Sequence, residues 1–212
     1  QAVMLTYYRN NVIHLFAIPS MIACLFINNV KMKREDVVRF ATTIYPYLKA
    51  ELFLHYKEDE ILPVIEQWLD LCVDKGYLTQ NGDFLVRPPV SSNNFIMLSV
   101  LSEQVIQILE RYYIVIALLQ RSGSGTLNRD DMVKNCSLMA QRISILHGLN
   151  APEFFDKALF RNLIDELIDR DVLKLAEDGY ILFADRIDGI ANDAKVLLNA
   201  ELRRSILQVT LN

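Results

Sequence analysis

The chain has 212 residues, of which 52% are hydrophobic, and it carries a formal net charge of −4 at pH 7. This composition excludes collagen-like, low-complexity and intrinsically disordered chains, because it offers enough apolar surface to build a core. The acidic balance disfavours a nucleic-acid-binding surface. Three widely separated cysteines exclude a disulfide framework or a Cys-x-x-Cys metal site and favour a reducing compartment: Cys24, Cys72 and Cys136.

The first part of the sequence raises the question of targeting. No signal peptide is visible, since the start lacks an initiator Met and a basic segment, and we expect the chain to begin inside a longer protein. Residues 12–27 are apolar, without Asp, Glu, Lys or Arg, but they are fewer than the ~20 of a spanning helix and include Pro19. A helix buried against other protein is therefore favoured over a membrane-surface helix or a membrane span.

The next segments have the periodicity of amphipathic helices. Apolar residues at helical spacing predict a helix over residues 34–44. A second helix opens at an acidic run that suits the helix dipole, covers residues 57–75 and is stopped by Gly76. The dipeptide Asn81-Gly82 lies between two short apolar runs and predicts a β-hairpin with a type I′ turn.

Five elements are predicted in the second half of the sequence. The first is one long helix over residues 95–120, which is apolar on more than one face and should be central. A flexible break follows at residues 122–125. The remaining elements are a helix capped by Asn128 and ended by Gly148, a helix starting at Pro152, a hairpin around Asp178-Gly179 and a final helix over residues 187–207.

The two halves show a weak internal similarity. Residues 69–82 resemble residues 164–179, and both halves have the order helix, helix, hairpin, which is the order of a winged-helix unit. A chance match is the alternative, because a helix followed by a hairpin is a common local pattern.

The expected fold is mainly α, a helical domain with two short β-hairpins and up to two winged-helix-like units. Residues 1–90 should form a helical unit that ends in a hairpin. Residues 91–212 should form the long central helix, a second helix-and-hairpin unit and a C-terminal helix. We expect both parts to belong to one compact domain.

The helices before the two hairpins decide against nucleic acid as a partner. A winged helix that binds DNA should present Lys and Arg to phosphate at this position. Here the helices are acidic instead, and their carboxylates include Glu66, Asp70, Asp165, Glu166 and Asp169. We therefore expect a structural or protein-docking use of these units. The Ser-Gly-rich segment at residues 122–126 lacks the pattern of a phosphate-binding P-loop.

The polar cluster at the start of the first apolar helix holds the candidate site residues: Tyr8, Arg9, Asn10, Asn11 and His14. Arg9 can bind a phosphate or a carboxylate through its guanidinium group. The alternative is that these groups cap and anchor the buried helix or make an interdomain contact.

The other histidines, His55 and His147, suggest little chemistry. His147 precedes Gly148 at a helix end, where it suits the dipole, and His55 lies in a charged stretch. No histidine has a second ligand at metal spacing, and no Ser-His-Asp or Cys-His arrangement can be argued. We therefore assign no catalytic residue, and we expect no metal and no cofactor.

Four stretches carry a family resemblance: LTYYRNNVIHLFAIPS at residues 5–20, YPYLKAELF at 45–53, LERYYI with ALL at 109–119, and AQR with LHGLNAPEFFDKALF at 140–160. In order and over essentially the whole chain, they resemble the C-terminal region of bacterial membrane-associated glycerol-3-phosphate 1-O-acyltransferases. The last stretch is the most specific.

The resemblance implies a parent enzyme of phospholipid biosynthesis. Such an enzyme transfers a fatty acyl group from acyl-CoA or acyl-carrier protein to the sn-1 hydroxyl of glycerol 3-phosphate. It acts at the cytoplasmic face of the bacterial inner membrane, as a peripheral protein in our expectation. Its chemistry uses a His-x4-Asp motif, in which the His is the general base and the attack on the thioester forms an oxyanion.

This sequence departs from the family pattern at the catalytic motif. Five residues after its histidines stand Pro19, Glu60 and Pro152, so it contains no His-x4-Asp. The arginine-rich phosphate-binding blocks are also not recognisable. The resemblance therefore implies a non-catalytic C-terminal domain whose partner is the catalytic domain of the same polypeptide. A membrane surface is a further partner, and the acyl donor is reached through the intact enzyme.

Two other functions remain as alternatives. One is an independent winged-helix module that binds other proteins or nucleic acid. The other is a helical scaffold that holds a lipid or acyl chain between apolar helices.

Overall fold

The computed structural model describes residues 2–52, 54–148, 151–184, 186–198 and 200–211, and it describes their side chains except at 2–14, 186, 194, 195 and 209–211. Within these residues the chain forms nine α-helices and five short strands, which confirms the predicted mainly α fold. The chain divides into two compact units, Gln1–Ile106 and Gln107–Asn212. The predicted organisation into residues 1–90 and 91–212 stays a prediction.

The first unit combines helices with a small antiparallel sheet. Its elements are α1 (Ala2–Asn28), β1 (Lys31–Lys33), α2 (Arg34–Leu52), α3 (Ile61–Asp74), β2 (Thr79–Asn81), β3 (Phe84–Val86) and α4 (Asn93–Ser102). The strand order is β1-β3-β2, with Leu85 of β3 opposite Met32 on one side and Gln80 on the other. The first strand was not predicted, because it has only three residues and only Met32 among them is buried.

The core of the first unit lies around α1, which packs against α4 and α2. Residues 17–26 of α1 are all buried within the chain. The apolar stretch is therefore largely core of this unit, in agreement with the buried helix that the sequence favoured. Among the described residues, no helix combines the length and apolar character that crossing a bilayer requires.

The second unit has a similar make-up. Its elements are α5 (Ile106–Ser122), α6 (Arg129–His147), a 3-10 helix (Pro152–Phe155), α7 (Lys157–Asp169), β4 (Lys174–Leu175), β5 (Ile181–Leu182), α8 (Arg186–Leu197) and α9 (Ala200–Leu211). Strands β4 and β5 form an antiparallel hairpin. Asn128 makes an isolated antiparallel bridge with Tyr180, and this bridge takes the place that β1 has in the first unit.

The predicted single helix over residues 95–120 is two helices, α4 and α5, separated by a turn at residues 103–105. The Ser102 hydroxyl donates to the Ser99 carbonyl at 2.7 Å. The N–H groups of Gln104 and Val105 donate to carbonyls three residues back instead of four. Serine side chains that bond to nearby backbone compete with helix continuation, and here no Gly or Pro marks the break.

The ends of α6 have the predicted caps, whereas the start of α7 lies further along the chain than predicted. The Asn128 side chain accepts from Asp131 N at 2.9 Å, and Gly148 takes the left-handed conformation after α6. Pro152 opens a 3-10 helix rather than α7, which is capped by Asp156 through Ala158 N at 2.8 Å. The predicted final helix is likewise two helices, α8 and α9.

The segment at residues 122–125, expected to be a flexible break, is tied to β5. Gly125 N donates to the Ile181 carbonyl at 2.8 Å, and Phe183 N donates to the Ser124 hydroxyl at 2.9 Å. Gly125 has a φ of +77°, and a Cβ there would lie 3.4 Å from Leu182. This glycine is therefore required both by its backbone conformation and by the close approach of the hairpin.

Both predicted hairpins form, but the first does not have the predicted type I′ turn. The first has a two-residue loop, Gly82-Asp83, in which only Gly82 has positive φ, as in a type II′ turn. In the second, Gly179 N donates to the Ala176 carbonyl and Gly179 has a φ of +83°. That pattern is a longer loop closed by a left-handed glycine. The register of strand pairing, and not the dipeptide, decides the turn type.

The internal similarity seen in the sequence has a structural counterpart. After α3, the Cys72 carbonyl accepts from Tyr77 N and Leu78 N, and after α7 the Leu167 carbonyl accepts from Val172 N and Leu173 N. In each unit, the second helix begins with an arginine that bonds to a carboxylate 36 residues later. The pairs are Arg34 with Asp70 in the first unit and Arg129 with Asp165 in the second. The residues that the sequence aligned therefore occupy equivalent positions.

The equivalent turns differ at one residue, which gives a stability prediction. Gly76 has a φ of +73°, whereas Asp171 has a φ of +55°. A side chain in the left-handed region costs roughly 1 kcal/mol, and a negative charge at a helix C-terminus is unfavourable. We expect Asp171→Gly to raise the free energy of unfolding in urea by about 0.5–1 kcal/mol. The reverse change, Gly76→Asp, should lower it, and a less stable Asp171→Gly variant would contradict the prediction.

Candidate functional site

The predicted site residues lie along the first half of α1. The backbone of Tyr8, Arg9, Asn10, Asn11 and His14 is helical and precedes the buried segment at residues 17–26. Asn10 and His14 are four residues apart, about one helical turn. The side chains of all five residues lie outside the described part of the structure, so their grouping stays a prediction.

The other two histidines have local partners. The ring of His55 lies against Tyr56, with 3.9 Å between ring centroids, and Glu60 accepts from Lys57 N at 3.1 Å. Glu60, the residue just before α3, thus bonds to the turn that precedes this helix. Nε2 of His147 is 3.0 Å from the Ser205 hydroxyl of α9. The contact with α9 was not expected from the position of His147 at the end of α6.

The three cysteines offer no reactive thiol, because all are buried. Burial raises the pKa of Cys72 to about 11 and also raises the pKa of Cys136. The Cys24 thiol donates to the Ser102 carbonyl at 3.5 Å. A thiol acts as a nucleophile only as the thiolate, and these environments disfavour it. Within the described ranges, no three His, Cys, Asp or Glu side chains come together as a metal-ligand set.

The acidic helices before the hairpins bond to arginines of their own unit. Arg34 Nε donates to Glu66 at 2.8 Å, and Arg34 Nη2 donates to Asp70 at 2.7 Å. Arg129 pairs with Asp165 in the second unit. These guanidinium groups are engaged by carboxylates, which would compete with phosphate for them. The structure gives no support to the nucleic-acid-binding alternative.

Two adjacent charged residues lie in α5, inside the segment LERYYI: Glu110, which is half-buried, and Arg111, which is buried. Arg111 is only 3% exposed. Burial raises the pKa of Glu110 to about 7, although the positive charge of Arg111 acts in the opposite direction. Burial also raises the pKa of Tyr113, against the opposing charge of Arg203. Sequence reasoning missed this cluster, although two charges inside an otherwise apolar stretch were a usable signal.

Comparison with known proteins defines the class. The family model described as the glycerol-3-phosphate acyltransferase C-terminal region matches residues 1–176. The glycerol-3-phosphate acyltransferase of Pseudomonas paraeruginosa is 47% identical over 211 residues, which are 99% of this chain and 25% of that protein. That of Pseudomonas fluorescens is 45% identical over 212 residues, which are 100% of this chain and 25% of that protein.

The chain therefore belongs to the family of glycerol-3-phosphate acyltransferase C-terminal regions. It spans about a quarter of the length of the curated relatives it matches. The resemblance stated from the sequence is confirmed.

Proposed function

We propose that this chain is the non-catalytic C-terminal domain of a glycerol-3-phosphate acyltransferase. The complete polypeptide would transfer a fatty acyl group from acyl-CoA or acyl-carrier protein to the sn-1 hydroxyl of glycerol 3-phosphate in phospholipid biosynthesis. One observation carries the proposal. The match to the Pseudomonas paraeruginosa acyltransferase covers 99% of this chain but only 25% of that protein. The sequence itself contains no His-x4-Asp, so the chemistry is assigned to the rest of the polypeptide.

The proposed role is to pack against and stabilise the catalytic domain. Two units with their own cores support this role, because such units can present fixed surfaces. We also propose that both units are winged-helix-like. The order helix, strand, helix, helix, hairpin and the sheet order β1-β3-β2 support this assignment in the first unit. In this proposal the intact enzyme is peripheral at the cytoplasmic face of the inner membrane.

Within the intact enzyme, a polar cluster on α1 is proposed to contribute to the substrate site or to the contact with the catalytic domain. The cluster consists of Tyr8, Arg9, Asn10, Asn11 and His14. A guanidinium group is well suited to the phosphate of glycerol 3-phosphate, because it can donate two hydrogen bonds at once. These residues lie on one continuous helix, before its buried segment. This position supports a role in contacts made outside the core of the unit.

One assay series tests the function and the site. Acyl transfer is measured with glycerol 3-phosphate and palmitoyl-CoA for this chain alone, for the complete polypeptide and for its Arg9→Met variant. We expect turnover only from the complete polypeptide. We expect Arg9→Met to raise KM for glycerol 3-phosphate by about tenfold, which is roughly 1.4 kcal/mol of lost binding, with a smaller change in kcat.

The control is Arg204→Met, which removes an exposed arginine of α9. Thermal melting of each variant checks that the fold is intact. Turnover by the isolated chain well above background would overturn the non-catalytic role. Equal KM values for Arg9→Met and Arg204→Met would remove Arg9 from the substrate site and leave the domain assignment standing.

A further inference from the structure

Helix α4 is apolar on its outward side as well as on its inward side. Its sequence, NNFIMLSVLS, contains no charged residue. Leu98 is buried on the inner side, whereas Ile96, Met97 and Val100 are 55%, 50% and 49% exposed. These three positions have the spacing i, i+1 and i+4, so they form one stripe along the helix. We call these three residues the α4 stripe.

An uncharged helix with apolar residues on both sides is normally covered on both sides. Helix α3 of the same unit shows the usual alternative. It exposes two large apolar side chains, Leu62 at 52% and Leu71 at 41%, but these are nine residues apart and form no stripe. The carboxylates of Glu66 and Asp70 lie between them in the sequence. Single exposed apolar residues are ordinary, whereas a continuous stripe marks an interaction surface. The α4 stripe is therefore expected to have a partner.

We propose that the α4 stripe docks the part of the same polypeptide that precedes this C-terminal region. The proposal rests on the proposed function. The family model describes a C-terminal region, and three quarters of each curated relative lies outside the match. That preceding chain must enter through α1, which packs directly against α4. On α1 itself, Leu15 and Phe16 are exposed apolar residues before the buried segment.

Charge argues against a lipid surface as the occupant. Helices that lie in a membrane interface carry Lys and Arg on their polar face. No Lys or Arg occurs between Asn93 and Ser102. An uncharged surface of Ile, Met and Val suits the core of a permanent interdomain interface, where charged residues are depleted.

Thiol labelling of the complete polypeptide tests this interface. Ile96→Cys and Val100→Cys place a thiol on the α4 stripe, and Leu62→Cys places a matched thiol on α3. The native thiols of this region, Cys24, Cys72 and Cys136, are buried and give a low background. Each variant is treated with a maleimide under native conditions, and the labelled peptide is identified by mass spectrometry.

We expect labelling at positions 96 and 100 to be at least tenfold slower than at position 62, with equal rates in denaturant. Rates within twofold of one another in the native polypeptide would overturn the proposal. The series is repeated over a range of protein concentrations and with and without phosphatidylglycerol vesicles. Slow labelling under all of these conditions supports docking within the polypeptide. Rates that rise on dilution would assign the stripe to a second copy, and rates that fall only with vesicles would assign it to lipid.

The acyl-transfer activity of the same samples separates this proposal from the proposed function. Fast labelling of the α4 stripe in a fully active polypeptide would overturn the docking proposal alone. A polypeptide with a protected stripe and no glycerol-3-phosphate acyltransferase activity would overturn the proposed function and leave the interface standing.

Discussion

Replacing Phe160 by alanine is expected to lower the free energy of unfolding by about 3–5 kcal/mol. Phe160 lies on α7, and its ring is among the largest fully buried side chains of the chain. Its removal loses the transfer free energy of the ring and leaves a cavity that the surrounding helices fill only in part. The unfolding is followed in urea by circular dichroism, with the slope of the transition checked for a constant value.

The control for this prediction is Ile145→Ala, because Ile145 is an exposed side chain of the same unit. Its effect should stay within about 0.5 kcal/mol. The single tryptophan, Trp68, lies on α3 of the first unit, so its fluorescence reports the other core separately. A circular-dichroism midpoint for Phe160→Ala equal to that of the parent chain would contradict the assignment of Phe160 to the core.

The elements that could be predicted from the sequence are those whose signals are local. Helix α6 shows this, because Asn128 and Gly148 mark its two ends by their own conformational preferences. Strand β1 could not be predicted, because its three residues are a strand only through pairing with β3, more than 50 residues later. The break between α4 and α5 depends on a serine hydrogen bond that has no sequence signature.

The sign of the charge on the helices before the hairpins could be predicted from the sequence, but the residues that pair with these charges could not. The acidic character of α3 was visible in the sequence, and it was the basis for expecting no nucleic-acid surface. The partner of Glu66 and Asp70 is Arg34, which lies 32 residues before Glu66 and is brought close only by the packing of α2 against α3. Long-range pairs of this kind require the tertiary structure, whereas the missing His-x4-Asp motif required only the sequence.

The half-buried carboxyl group of Glu110 predicts a stability that falls as pH rises. Its pKa in the folded chain is raised from 4.5 to about 7, because burial disfavours the charged form. Below pH 4.5 the group is protonated in both states. Between pH 4.5 and 7 the unfolded chain releases the proton while the folded chain keeps it. The unfolded state is therefore stabilised relative to the folded state, and the free energy of unfolding falls. Above pH 7 the full cost of roughly 3 kcal/mol is present.

Replacing Glu110 by glutamine is expected to abolish this contribution, since an amide of the same size carries no proton equilibrium in this range. The variant should match the parent chain in urea unfolding at low pH and exceed it by up to roughly 3 kcal/mol at pH 8. Glu103→Gln is the matched control, because Glu103 is an exposed carboxylate in the turn before α5. The difference between variant and parent isolates Glu110 from every other titrating group. If that difference stays constant from pH 4 to pH 8, Glu110 has the same pKa in the folded and the unfolded chain and the argument from burial fails.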